Sequence, residues 1–138
     1  MQFLARIRRP ATHAHLAAMM ETVVRCAEDQ GADAKAQGHI ELALEEALVN
    51  IVSYACPDGT GEMEVRCSLD KKKGFVIEIL DSGPPFDPLS QGDPDTAADL
   101  EDRDIGGLGI FFMKQFMDRV EYFRKNDENI LKLTKTLS

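Results

Sequence analysis

Residues 38–55 read GHIELALEEALVNIVSYA, and the spacing of their apolar members decides what kind of layer this chain builds. Ile40, Leu44, Ala47, Leu48, Ile51 and Ala55 fall on one stripe at helical spacing, which predicts a helix from about Gly38 to Ala55 with one face on a core. Glu46 and Asn50 are four apart, so they stand one above the other at the border of that stripe. They share their side with Ala43 and Ala47, small residues that leave room where larger ones would fill it. A carboxylate and an amide therefore border a hollow. Pro57-Asp58-Gly59 closes the helix as a turn.

Upstream of this helix, Phe3, Ala5 and Ile7 alternate with Gln2, Arg6 and Arg8, the period of a half-buried strand, and Pro10 stops it. Thr12 is the expected N-cap of a helix running toward Gly31, with Leu16, Met19, Met20, Val23 and Ala27 on its inner face. Downstream, Met63, Val65, Cys67 and Leu69 alternate with polar residues, and Asp70 to Gly74 connects them to a second strand, Phe75 to Leu80. The stretch Ser82 to Ile105 is rich in Pro, Gly and Asp and too long for a passive connection, so it reads as a functional loop or lid. A third helical pattern covers Leu108 to Met117. Val120 to Arg124 and Ile130 to Leu137 read as two strands joined around Asn126 to Asn129. The expected fold is α+β: a two-layer sandwich in which a mixed, mostly antiparallel sheet is covered on one face by helices, with all apolar strand positions turned toward them.

The 138 residues suit one domain, 1–138. With 24 acidic against 16 basic residues, the chain disfavours nucleic acid and membrane surfaces as direct partners. No apolar run approaches the roughly 20 residues of a membrane span, and the first residues lack the apolar stretch of a signal peptide, so a cytoplasmic protein is expected. Cys26, Cys56 and Cys67 are odd in number, widely spaced and without a CxxC pair, which predicts buried thiols rather than disulfides or a zinc site. His13 and His15 lie two apart, a spacing that points them to different sides of a helix and makes no metal pair.

Two further motifs bear on chemistry. Strand parity puts Asp81 on the face of Phe75, Ile77 and Ile79, so Asp81-Ser82-Gly83 delivers an acid into the helix-covered layer. A carboxylate there needs a donor, and the exocyclic amine of adenine is one, whereas guanine presents a carbonyl at that place. After the lid, Gly106-Gly107-Leu108-Gly109 opens the third helix, where bare backbone N–H groups and the helix dipole attract phosphate. No GxxxxGK[ST] occurs, so the phosphate loop is not a P-loop.

The order Glu-x-x-x-Asn helix, Asp-x-Gly strand end, long loop and Gly-Gly-x-Gly helix start is more specific than its parts. It resembles the superfamily of gyrase, heat-shock-chaperone, histidine-kinase and mismatch-repair ATPases, and within it the bacterial anti-sigma-factor serine/threonine kinases. The resemblance spans nearly the whole chain and implies the histidine-kinase-like ATPase fold. It is carried by Leu44 to Ala55, Asp81 to Asp87, Gly106 to Met113 and Met117 to Tyr122. It implies ATP and Mg²⁺ as cofactors, with Asn50 holding the metal, Glu46 as general base, Asp81 reading adenine and Gly83 shaping its pocket. Gly106, Gly107, Leu108 and Gly109 meet the phosphates on the same grounds. Tyr54 stands where many relatives carry histidine, and Ile105 where the phosphate loop often begins with glycine. Arg103 is the single cation among the acids of the lid, Asp93, Asp95, Asp99, Glu101, Asp102 and Asp104, and is expected to turn toward the phosphates.

The implied activity is transfer of the γ-phosphate of ATP to a serine or threonine of a small anti-anti-sigma protein, with a sigma factor as a further partner and a homodimer as the assembly. The competing reading is a nucleotide-dependent binding module that sequesters a sigma factor or another regulator without phosphoryl transfer; Glu46 argues against it, because binding alone needs no base. A plain ATPase ranks last, since a lone domain has little means of coupling hydrolysis to work. Only a strand and one helix precede the Glu-x-x-x-Asn helix, which disfavours an autophosphorylating sensor kinase.

Overall fold

The computed structural model describes residues 1–56, 58, 60–87 and 113–137. Strands β1 (Gln2–Pro10), β2 (Glu62–Leu69), β3 (Gly74–Asp81), β4 (Arg119–Lys125) and β5 (Glu128–Thr136) form one sheet in the order β1-β2-β3-β5-β4. Helices α1 (Leu16–Asp29) and α2 (Ala34–Asn50) pack on one face of it. The α+β two-layer sandwich is therefore present, with one difference. Every pairing is antiparallel, so the sheet is not mixed among the described residues.

The local chemistry explains where the helices start and stop. His13–His15 form a single 3-10 turn before α1, so Thr12 flanks that turn without a side-chain cap instead of opening the helix. Met19, Val23 and Ala27 are fully buried, while Leu16 and Met20 are partly covered. At the far end Gly31 takes φ +97°, a conformation that favours glycine, and lets its own N–H reach Glu28 O at 3.0 Å and that of Ala32 reach Ala27 O at 3.0 Å. Helix α2 begins four residues before Gly38, because Asp33 Oδ1 accepts from Ala36 N at 2.8 Å and caps it. Ile40, Leu44, Ala47, Leu48 and Ile51 are buried as the stripe requires. After Asn50 the helix widens into a π-helical turn, Ile51–Ala55, closed by Cys56 N to Ile51 O at 2.7 Å.

In the sheet, Met63, Val65 and Cys67 of β2, Phe75, Ile77 and Ile79 of β3, and Leu131 and Leu133 of β5 join the helices in one core. Val76 and Leu80 are also buried but alternate with that set, so not every apolar strand position faces the helices. On the same outer face Glu64 is buried beneath Arg6, Arg8 and Arg66, which converge on its carboxylate. Cys56 and Cys67 are buried, but Cys26 is half-exposed, its thiol against that of Cys67. Burial pushes the Cys67 thiol far up from its ordinary value.

Two connections fix where β5 begins and how the chain returns to β4. Asn126 and Asp127 take φ +54° and +62°, a two-residue hairpin turn that lets β5 start at Glu128. Asn129 thus lies inside a strand and not in a connection. Residues 113–116 are helical, with Met117 N on Met113 O at 3.0 Å, while Leu108 to Phe112 of the expected third helix lie outside the described residues.

Candidate functional site

The C-terminal half of α2 lies over the ends of β3 and β5, and a small cavity of about 30 Å³ sits between them. Ala47, Asn50 and Ile51 form its roof, Ile79, Asp81, Asn129, Leu131 and Tyr122 its floor, and Phe86 its side. Ala47 supplies the missing bulk that the sequence pattern requires; Ala43 is buried but does not line the cavity. A wider groove of about 570 Å³ lies at the other end of the sheet, by the β2–β3 hairpin. Its polar lining, Gln2, Gln30, Asp70, Lys71 and Lys73, is exposed or half-buried, so nothing there converges on a ligand as the small cavity's groups do.

Asn50 is 4% exposed, and neither its amide oxygen nor its nitrogen has a hydrogen-bond partner among the described residues. Burying an amide in that state costs roughly 1–3 kcal/mol. A side chain kept at such a cost, aimed into a cavity, is the mark of a group that meets a ligand. Glu46, one turn earlier on α2, is half-buried with its Oε1 shielded from solvent. The preceding Glu45 is exposed.

Asp81 ends β3 as a buried carboxylate. Its Oδ1 accepts from Gly83 N at 2.9 Å and from Asn129 Nδ2 at 3.0 Å, and Oδ2 accepts no bond among the described residues. Burial pushes this carboxyl up from its ordinary value, against the pull of the Asn129 and Gly83 bonds and of the Arg124 charge. Gly83 is held from both sides, since its N–H goes to Asp81 and its carbonyl accepts from Arg124 Nη1 at 2.7 Å.

Asn129, Phe86 and Tyr122, which sequence reasoning did not place in the site, complete it. Asn129 donates from Nδ2 to Pro84 O at 2.9 Å as well as to Asp81, and its Oδ1 accepts from Phe86 N at 3.1 Å and from the Tyr122 hydroxyl. Phe86 stacks on Tyr54 of the π-helical turn, centroids 5.7 Å apart and 13° between planes. The signal for Asn129 is parity with Leu131 and Leu133, which becomes readable once the turn is placed at Asn126-Asp127. Of the predicted site residues, Asn50 and Asp81 line the cavity, Gly83 is bonded to Asp81, and Glu46 lies one helical turn before Asn50 without lining it. Arg103, Gly106, Gly107, Leu108 and Gly109 lie outside the described residues. Among the described residues no cluster of His, Cys, Asp and Glu makes a metal site, and no helix is long and apolar enough to cross a membrane.

Comparisons with known proteins agree with this fold. Residues 9–135 match the model of the histidine kinase-like ATPase domain family. The chain is 33% identical over 95 residues to the serine/threonine-protein kinase BtrW of Bordetella bronchiseptica, covering 69% of this chain and 67% of that one. It is 32% identical over 102 residues to the serine-protein kinase RsbW of Halalkalibacterium halodurans, covering 71% of this chain and 61% of the relative. Among solved structures, the SiaB–SiaC complex of Pseudomonas aeruginosa holds a chain that superimposes with a TM-score of 0.69 at 12% identity, covering 96% of this chain and 89% of that one. The RsbU and RsbW domains of a Mycobacterium tuberculosis protein give 0.65 at 15% identity, covering 96% of this chain but 32% of that longer chain. These two likenesses bear on the fold alone.

Proposed function

Since the chain belongs to the histidine kinase-like ATPase domain family, alongside bacterial serine/threonine kinases of the anti-sigma-factor type, we propose that it is an ATP- and Mg²⁺-dependent serine/threonine protein kinase. Its substrate on this reading is a small anti-anti-sigma protein, with a sigma factor as a second partner and a homodimer as the working assembly. The observation that carries the proposal is the buried Asn50 amide, set without a partner among the described residues in a cavity beside Asp81 and one helical turn from Glu46.

The residues present fit the groups that such a kinase handles. Mg²⁺ takes oxygen ligands while keeping waters and phosphate oxygens, and the Asn50 amide oxygen is a ligand of that kind. When bound, the metal supplies charge neutralisation at the transferring phosphoryl group. Asp81 offers Oδ2 to the exocyclic amine of adenine and so rejects guanine, whose carbonyl would face a second acceptor. Gly83, pinned by Asp81 and Arg124, lets the backbone approach the base. Glu46 takes the proton of the attacking hydroxyl. Arg103 and the backbone N–H groups of Gly106, Gly107, Leu108 and Gly109 receive the phosphates on this reading. A cavity of about 30 Å³ holds little more than a water, so a purine needs more room than the described residues leave there.

The deciding experiment incubates the chain with γ-labelled ATP, Mg²⁺ and anti-anti-sigma proteins from the same genome. Label on a serine or threonine of one of them is the expected result. Nucleotide binding with no transfer to any of them would instead favour the sequestering module.

The Asp81 carboxyl also makes nucleotide binding depend on pH. It is raised above the ordinary value, so it takes up a proton at a pH where a free aspartate is still ionised; with two donors already on Oδ1, that proton falls on Oδ2, which then faces the adenine amine as a donor. Affinity for ATP therefore rises with pH through a limb lying above the free-aspartate value of about 3.9. Asp81→Asn should bind more weakly and lose that limb, as a titration of Kd between about pH 4 and pH 8 would reveal.

A further inference from the structure

Asn129 has every hydrogen-bonding position of its amide in use. Both N–H groups donate, to Asp81 Oδ1 and to Pro84 O, and the oxygen accepts from Phe86 N and the Tyr122 hydroxyl. An asparagine side chain can do no more than this. It is itself buried, on β5 directly opposite Asp81 in the pairing with β3. Its capacity is spent on protein groups, so it is not free to bind a ligand. What it does is fix one oxygen of Asp81 and, in the same side chain, the segment that carries Phe86 to the edge of the cavity.

From this we infer that Asn129 is the specificity-determining positioning residue of the site: by occupying Oδ1 of Asp81 it turns Oδ2 to the adenine amine, and by holding the Pro84–Phe86 backbone it sets the width of the base pocket. The inference rests on the adenine reading of Asp81 proposed above. A carboxylate free to rotate would offer either oxygen and accept a donor at several angles. One whose Oδ1 is tied by both Gly83 N and Asn129 Nδ2 has a single orientation. The Asp81–Asn129 bond is buried, so losing it leaves polar groups inside the site without the partner they have now.

The test separates this role from a merely structural one by using two nucleotides. ATP and purine riboside triphosphate differ only in the exocyclic amine, so the ratio of their Kd values reports how well Asp81 reads that amine. The wild type should prefer ATP by about tenfold or more. Asn129→Asp keeps the acceptor for Phe86 N and Tyr122 but places an acceptor opposite Asp81 Oδ1 and opposite Pro84 O. In this variant the preference should fall to within about twofold, ATP losing more affinity than the analogue, which loses only what the freed Pro84 carbonyl costs. Asn129→Leu removes all four bonds and should weaken both nucleotides, because the pocket edge is then released as well. If Asn129→Asp lowers affinity for both nucleotides by the same factor, or leaves the wild-type ratio intact, the inference is overturned. Asp81→Asn serves as the control for the underlying reading. If it too leaves the ratio intact, the adenine assignment itself fails; if it collapses the ratio while Asn129→Asp does not, only the role of Asn129 does.

Discussion

Glu46→Gln should lower the rate of phosphoryl transfer by about 10²–10⁴-fold, the usual contribution of a positioned general base, while nucleotide affinity stays within a small factor of the wild type. Glutamine keeps the shape and the hydrogen-bonding reach of the side chain and removes only its ability to take a proton. The site offers a built-in comparison. Glu45 is the neighbouring carboxylate on the same helix, yet it is exposed while Glu46 is half-buried with one oxygen shielded. Successive helical residues differ by about 100° in direction, so the two acids cannot serve one point in space. Single-turnover transfer in Glu45→Gln should match the wild type. Equal losses in both variants would mean that negative charge, and not a base, is what the helix provides. Undiminished transfer in Glu46→Gln would remove the base from the proposed mechanism altogether.

The second large effect runs in two directions at once. Asn50→Leu should end Mg²⁺-dependent transfer and yet make the nucleotide-free protein more stable. Leucine has the same branched skeleton, is somewhat larger beside a cavity that gives it room, and needs no partner, so it relieves an amide buried without one among the described residues, a change of roughly 1–3 kcal/mol that raises Tm by several degrees for a domain of this size. Stability gained together with activity lost is the signature of a group retained for a ligand at the expense of the fold. Thermal unfolding without nucleotide, beside the transfer assay, measures both. A lower Tm in Asn50→Leu would show that the amide is satisfied in the free protein, and transfer that survived would show that Asn50 holds no metal.

Periodicity carries a reading of the sequence furthest where a single element packs against the core. The stripe from Ile40 to Ile51, the inner face of α1 and the alternation of Phe75, Ile77 and Ile79 each predict burial that the structure contains. The same parity puts Asp81 inside the layer, and the same helical spacing puts Asn50 over it. What periodicity does not encode is which strands are neighbours. Asn129 meets Asp81 through the β3–β5 register, and no local signal announces a contact 48 residues apart in sequence. Its own stretch, Asn-Asp-Glu-Asn, is so rich in turn formers that the strand start is hidden in it. The first turn of α2 escapes for a related reason: it is fixed by the Asp33 cap, and the apolar stripe only begins beyond it. Phe86 follows two prolines in a stretch without periodicity, and its pairing with Tyr54 depends on the π-helical turn, which widens the helix where a regular one would be expected.

Strand β5 does one more thing. Phe86, just before residue 88, is fastened to it through Asn129, and residues 116–118, just after residue 112, are fastened to it through Phe116 O to Lys135 Nζ at 2.7 Å, Asp118 N to Thr134 O at 2.9 Å, and Thr136 N to Asp118 Oδ2 at 2.6 Å. Both ends of the intervening stretch are thus moored to one strand, within a span of roughly 20 Å at about 3.3 Å per residue. The sheet register then does not depend on how many residues lie between the moorings, and closing a flexible connection of twice the length would cost only about 0.6 kcal/mol more. The number of residues between those two points can change while the cavity stays built as it is.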